Sequence, residues 1–152
     1  MKIYLASDHR GFNLKEKIKL WLPEWGHEAE DMGPYEFDPM DDYPDFISKA
    51  AAKVSEDPEN NKAIILGGTG QGEAIVANKF PGVRAVVYYG GLEEIVILSK
   101  EHNNANILSM GASFLDEFSA RAMIKLWLDT GFHSEERHER RINKIKEIEE
   151  KI

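Results

Sequence analysis

Short, continuous apolar runs alternate along the chain with longer segments in which apolar residues recur every three or four positions. Lys2–Ser7, Ile64–Gly67, Val83–Tyr88 and Ile107–Gly111 are runs of the first kind, and Gly26–Gly33 is a weaker one. Runs of this length, bounded by Gly, Asp or Asn, predict strands buried on both faces, as in a parallel sheet. Between them, Phe12, Leu14, Ile18, Leu20 and Leu22 predict a helix stopped at Pro23. Tyr43-Pro44-Asp45 opens a second helix, with Phe46, Ile47, Ala50, Ala51 and Val54 on its apolar side and Pro58 beyond its end. A third runs from Gln71 to Asn78. A fourth follows Gly90-Gly91, carries Ile95, Ile97 and Leu98 inward, and ends near Glu101-His102-Asn103-Asn104. A fifth spans Leu115 to Thr130 and is stopped by Gly131. From Ser134 onward the pattern is charged and helical, with Ile142, Ile145, Ile148 and Ile152 as a narrow stripe.

Strands alternating with helices across short turns predict a doubly wound, Rossmann-like α/β fold, a five-stranded parallel sheet flanked by helices. In the common strand order 2-1-3-4-5, the sheet reverses between its first and third strands, and ligands bind there, outside the carboxyl ends. Topology then sets the loop Asp8-His9 beside the loop that follows Leu66. The isoleucine stripe of the last helix has no sheet left to cover. It is expected to contact a partner subunit, the alternative being that it lies back on its own domain.

With 42% hydrophobic and 30% charged residues in 152, the chain reads as a single domain, 1–152, with material for one core. No apolar run approaches the length of a membrane span, and Met1-Lys2-Ile3 leads into a strand rather than a signal peptide, so a cytoplasmic protein is expected. The absence of cysteine removes disulfides, zinc-thiolate sites and thiolate nucleophiles together. A net charge of −8 argues against wholesale binding to nucleic acid. An anionic ligand would have to be held locally.

A local means of doing so is Gly67-Gly68-Thr69-Gly70-Gln71-Gly72-Glu73, where four glycines in six residues join a strand to a helix. Glycine lets backbone approach a ligand closely, and the first N–H groups of the helix lack internal partners. Phosphate, carboxylate or a developing oxyanion would each suit the loop, and close packing of a helix on a sheet is its purely structural use. Walker A chemistry is disfavoured because Glu73-Ala74 follows Gly72 where Lys and Ser or Thr are required. A dinucleotide fingerprint counted from Gly68 and Gly70 meets Glu73 in place of its last glycine, which disfavours a nicotinamide cofactor.

Glu73, at the start of the helix, is either a first-turn acid favoured by the helix dipole or a general base whose pKa is held up by enclosure. His102, at a helix C-terminus, is favoured there as a cation in any case, and its neighbour Asn103 adds a hydrogen-bonding group. His9, beside Asp8, is a ring oriented by a carboxylate or part of a turn. Tyr43 is a helix-entry aromatic or a hydroxyl donor. Asp38, Asp41 and Asp42 lack metal-loop spacing, so no metal is expected. Arg137 and Arg141 share a helix face at a spacing of four and suit one phosphate, with Arg140 and His138 alongside.

Taken together, Ser7-Asp8-His9-Arg10-Gly11-Phe12, Asp42-Tyr43-Pro44, Gly68-Thr69-Gly70 with Ala77-Asn78-Lys79, Glu101-His102-Asn103-Asn104-Ala105-Asn106, and Arg137-His138 with Arg140-Arg141-Ile142 resemble the type B ribose-5-phosphate isomerases and their sugar-phosphate isomerase relatives. The match is in order and covers nearly the whole chain. The resemblance implies metal-free and cofactor-free interconversion of an aldose and a ketose phosphate through an enediolate, in a homodimer or tetramer whose active sites are shared between subunits. It further implies that His102 helps to open the sugar ring, that Asp8, His9, Tyr43 and Asn103 contact substrate, that backbone of Gly68, Thr69, Gly70, Gln71 and Gly72 holds the enediolate oxygens, and that Arg137 and Arg141 bind phosphate from the partner chain.

Two positions depart from the family pattern. Gly67 stands where many members carry a catalytic Cys, and Glu73 matches the branch that uses a Glu as base instead. Ser113 stands where relatives usually have an Arg that supports phosphate, and Arg10, with His138, is a candidate to supply that charge. The resemblance therefore points to ribose 5-phosphate and ribulose 5-phosphate, with Glu73 moving the proton. A six-carbon substrate such as allose or galactose 6-phosphate, or a non-catalytic phosphosugar- or nucleotide-binding module, is the alternative.

Overall fold

The protein is described over residues 1–152 by a computed structural model. Its elements run β1 (Lys2–Ser7), α1 (Phe12–Glu24), β2 (Glu28–Asp31), α2 (Pro44–Glu56), β3 (Lys62–Gly67), α3 (Gln71–Ala77), β4 (Ala85–Tyr88), α4 (Glu93–Glu101), β5 (Ile107–Gly111), α5 (Glu117–Asp129) and α6 (Glu136–Glu150), with a short 3₁₀ turn at Ala112–Phe114 before α5. All five strands are parallel. Alternate side chains of one strand serve opposite faces, as the pleat requires. Ile3, Leu5, Ile64, Leu66, Leu108 and Met110 pack under α1, α4 and α5, whereas Tyr4, Ala6, Ala63, Ile65 and Ile107 pack under α2 and α3. Each fully enclosed Ile or Leu contributes about 1.5–3 kcal/mol to the fold. No helix is long and apolar enough to cross a membrane.

The strand order is β2-β1-β3-β5-β4, so the expected 2-1-3-4-5 is corrected at its end: β5 lies inside and β4 forms the edge. Burial follows this placement. Every residue of β5 is buried, while Ala85, Val86 and Val87 of β4 are only half-buried. Asn106, fully enclosed just before β5, accepts from the backbone N–H of Arg84 at 2.7 Å and donates to the carbonyls of Pro58 and Gly82 at 3.1 and 2.9 Å. One amide thus ties the entrance of β5 to the segments entering β3 and β4, and seats it between them.

Smaller differences concern helix faces and ends. Helix α1 continues through Pro23 to Glu24, and its inner residues are Lys15, Ile18, Trp21 and Leu22, with Leu20 turned outward. In α4 the enclosed residues are Val96, Ser99 and Lys100, whereas Ile95 is exposed. Helix α5 begins after Asp116, whose carboxylate accepts from the Ser119 N–H at 2.7 Å as an N-cap. On α6, Ile145 and Ile148 are exposed, as is Ile152 just beyond its end.

Candidate active site

The loops after β1 and β3 meet at the reversal point. Asp8 N–H donates to the Leu66 carbonyl at 3.2 Å, and a Cβ on Gly11 would lie 2.5 Å from the Leu66 Cβ, so α1 can start this close to β3 only at a glycine. The Asp8 carboxylate accepts from the N–H groups of Arg10 and Gly11 at 2.8 and 3.1 Å and fixes the turn. It is not the acid that holds His9. That acid is Asp41, whose Oδ1 lies 2.7 Å from His9 Nδ1 and 3.0 Å from its backbone nitrogen. Nothing in the sequence spacing marked Asp41, which reaches His9 across 32 residues from a loop of prolines, acids and aromatics.

The glycine loop leaves β3 and enters α3 through Gly70 at φ +77°, a conformation suited to glycine. Ser109 Oγ donates to the Gly70 carbonyl at 2.6 Å and Ser113 N–H to the Gly68 carbonyl at 3.1 Å, which turns these carbonyls away toward β5 and the segment after it. Gln71 N–H is taken up by Thr69 Oγ1 at 3.2 Å. The N–H groups of Gly68, Thr69, Gly70 and Gly72 find no acceptor within the chain. Arg10 lies across Gly68, where a Cβ would meet its guanidinium at 2.7 Å, and the Tyr43 ring lies as close to Gly72.

Glu73 is 3% exposed, and its carboxylate occupies the space that a side chain on Gly67 would fill. Burial raises its pKa and the charge of Asp8 adds to this, outweighing the hydrogen bond from Glu73's own backbone N–H. An enclosed carboxyl with a raised pKa beside unfilled backbone donors is the combination required of a base working next to an oxyanion.

The remaining predicted residues are elsewhere. Helix α4 runs back from the carboxyl edge of the sheet, so His102 and Asn103 at its end lie by the amino-terminal edge, where the Asn104 carbonyl accepts from Arg84 Nε at 2.8 Å. His138 of α6 is buried there and stacks on the His102 ring with centroids 4.3 Å apart. Burial lowers the His138 pKa, and His102 and the neighbouring arginines lower it further. Arg137 and Arg141 are exposed beside it, Arg137 bonding Glu135 at 3.2 Å. The length of β5, about 16 Å, separates this cluster from the glycine loop of the same chain. The resemblance brings these residues together in sites shared between subunits. One chain holds them as two groups, Asp8, His9, Arg10, Tyr43, Gly68–Gly72 and Glu73 at one end, and His102, Asn103, Arg137, His138 and Arg141 at the other.

A doubly wound domain with an enclosed acid over a backbone cradle at its reversal point defines a class of small α/β proteins whose geometry suits proton transfer next to an oxyanion. Within that class, the chain belongs to the ribose/galactose isomerase family, whose model matches residues 3–145. It is 39% identical over 149 residues to ribose-5-phosphate isomerase B of Mycolicibacterium paratuberculosis, covering 98% of this chain and 92% of the relative. The structure is similar to ribose-5-phosphate isomerase B from Mycoplasma genitalium with bound ribulose-5-phosphate, with a TM-score of 0.94 at 35% identity over 99% of this chain and 97% of that one. The Clostridium thermocellum ribose-5-phosphate isomerase B superposes with a TM-score of 0.92 at 40% identity over 99% of both chains.

Proposed function

We propose that the chain interconverts ribose 5-phosphate and ribulose 5-phosphate, with Glu73 as the base. The observation that carries this reading is the Glu73 carboxyl, enclosed at the place of an absent residue-67 side chain and beside the unfilled N–H groups of Gly68, Thr69, Gly70 and Gly72. The activity of the family relatives and the ribulose 5-phosphate bound to the Mycoplasma genitalium enzyme support the substrate.

Glu73 takes the proton from C2 of the open-chain aldose, and the C–H electron pair becomes the C1–C2 double bond while O1 gains the charge held by the loop N–H groups. Return of that proton to C1, with loss of the O2 proton and protonation of O1, gives the ketose. Arg10, exposed over Gly68, is placed to contact phosphate or a terminal hydroxyl.

The opposed placement of the two residue groups supports a homodimer in which the glycine-loop end of one copy meets the His102 end of the other. His102 would then open the ring, Asn103 would contact the sugar, and Arg137 and Arg141 would hold phosphate, all in trans. The edge strand β4, with exposed Ile75 and Ile95 on the helices beside it and exposed Leu92 just before α4, offers apolar surface for such a contact. A cysteine-free chain fits a cytoplasmic setting.

The test is proton exchange. Incubation with ribose 5-phosphate in deuterated water, followed by NMR, should place deuterium at C2 with the wild type and not with Glu73→Gln. A Glu73→Gln variant that exchanges at the wild-type rate would remove Glu73 from the mechanism, and no exchange by the wild type with pentose or hexose phosphates would leave a binding module.

A further inference from the structure

His9 is held from an unexpected quarter, the loop between β2 and α2. Near the start of this loop, the Pro34 carbonyl accepts from the Lys15 ammonium at 2.6 Å. Lys15 is fully buried and also donates to both oxygens of Asp31, each at 2.7 Å, so the start of the loop is fixed to α1 and to the end of β2. Further along, the Phe37 ring stands edge-on to His9, with centroids 6.4 Å apart, and to Phe12 at 6.1 Å. Asp41 then closes the loop on His9. Its side chain is 4% exposed, and a single oxygen, Oδ1, faces both the backbone N–H and the ring Nδ1 of His9.

This pair of contacts determines the ring's protonation pattern. Oδ1 accepts from the backbone N–H at 3.0 Å, and a carboxylate oxygen in that position is an acceptor for the ring as well. Nδ1 therefore carries the hydrogen, and in the neutral imidazole Nε2 is left bare. Nε2 has no partner within the chain, whereas free to turn, the ring would present either nitrogen. We propose that Asp41 is the positioning residue for His9, locking its neutral imidazole as the Nδ1–H tautomer so that Nε2 accepts a hydrogen bond from a sugar hydroxyl. The inference rests on the isomerase reading for the identity of the hydroxyl, but the tautomer is a property of the free protein.

The experiment uses ¹⁵N-labelled full-length protein, at a pH of about 8 where an ordinary imidazole is neutral. His9 ring signals are identified by their loss in His9→Gln and read in a long-range ¹H–¹⁵N spectrum. Wild type should show a protonated Nδ1 and a bare Nε2; a wild-type ring protonated on Nε2 overturns the proposal whatever any variant does. Asp41→Ala should release the ring to the other tautomer and lower kcat/KM for ribose 5-phosphate about 10- to 100-fold, the usual cost of losing orientation at a reacting group.

Asp41→Asn distinguishes orientation from mere packing. The backbone N–H of His9 requires an acceptor at Oδ1, so the amide oxygen is fixed there and still accepts from Nδ1–H. That variant should keep the wild-type tautomer and a kcat/KM within about 3-fold of wild type. Loss to the level of Asp41→Ala with the tautomer retained, or an Asp41→Ala protein with wild-type signals and turnover, refutes the assignment. Absence of turnover in the wild type would reject the isomerase reading alone, because the spectra still decide the tautomer.

Discussion

Replacing Gly67 with Ala tests whether the position of the Glu73 carboxylate, and not merely its presence, sets the rate. Gly67 closes β3 and is buried, and an added Cβ would fall within the Glu73 carboxylate. The strand cannot retreat, because it is laddered to β1 on one side and to β5 on the other, with Gly67 paired to Gly111. The acid, on the first turn of α3, is the part that yields. Overpacking of this kind costs about 1–3 kcal/mol, and the stiffer unfolded chain returns about 0.4–1 kcal/mol of it. A net loss near 1–2 kcal/mol leaves a domain with a typical stability of about 5–15 kcal/mol folded. The kinetic cost is larger. A misplacement of about 1 Å at a reacting group costs on the order of 100-fold, and full loss of a positioned base about 100- to 10,000-fold.

Gly67→Ala should therefore melt only a few degrees below wild type, bind substrate with little change in KM, and lose at least about 100-fold in kcat. The measurements are thermal unfolding, steady-state kinetics with ribose 5-phosphate, and deuterium incorporation at C2. Gly131→Ala is the control, since a Cβ there meets nothing within 4 Å. A folded Gly67→Ala protein with kcat within about 3-fold of wild type would refute the placement of the base over residue 67.

Two further outcomes follow from the same geometry. If sites are shared, co-expression of Glu73→Gln with His102→Ala in equal amounts should give one intact site in each mixed dimer, hence about one quarter of wild-type activity from two nearly inactive parents, and activity no higher than the parents' would place both residues in one chain's site. Because burial and Asp8 raise the Glu73 pKa, the folded state binds this proton more tightly than the unfolded state, so the resulting stability is full below the ordinary value of 4.5 and lost as pH rises through the folded value. Glu73→Gln should accordingly melt above wild type at neutral pH with the gap closing below 4.5, and a gap independent of pH would contradict the enclosed, charge-opposed carboxyl.

Much of the fold was legible in the sequence because buried parallel strands are marked by their own composition. Lys2–Ser7 and Ile107–Gly111 fall where the apolar runs begin and end. Neighbour relations are not marked in this way. Val83–Tyr88 and Ile107–Met110 are comparably apolar runs, yet the first supplies only the edge strand Ala85–Tyr88 and the second lies in a central strand; what separates them is the Asn106 amide, whose partners lie 22 to 48 residues away. Helix faces erred for a related reason. Lys15 and Lys100 are buried where an amphipathic pattern assigns polar residues to solvent, Lys15 through Asp31 and the Pro34 carbonyl, Lys100 through the Trp127 carbonyl and ring.

The site was legible in its residue types but not in its distribution, although the distribution follows from a parity rule. In a parallel sheet, residues just after a strand lie at the carboxyl edge, and residues at the end of the helix that follows have been carried back to the amino edge. Asp8–Arg10 and Gly68–Gly72 follow strands; His102 and Asn103 end a helix and precede β5. No change of strand order alters that assignment, so even the misplaced β4 and β5 left it intact. Helix α6 starts at the His102 edge as well, through the stacking of His138 on His102. A chemistry that uses both Glu73 and His102 on one sugar would, on this order of elements, draw them from two chains, which is what the mixed-variant experiment tests.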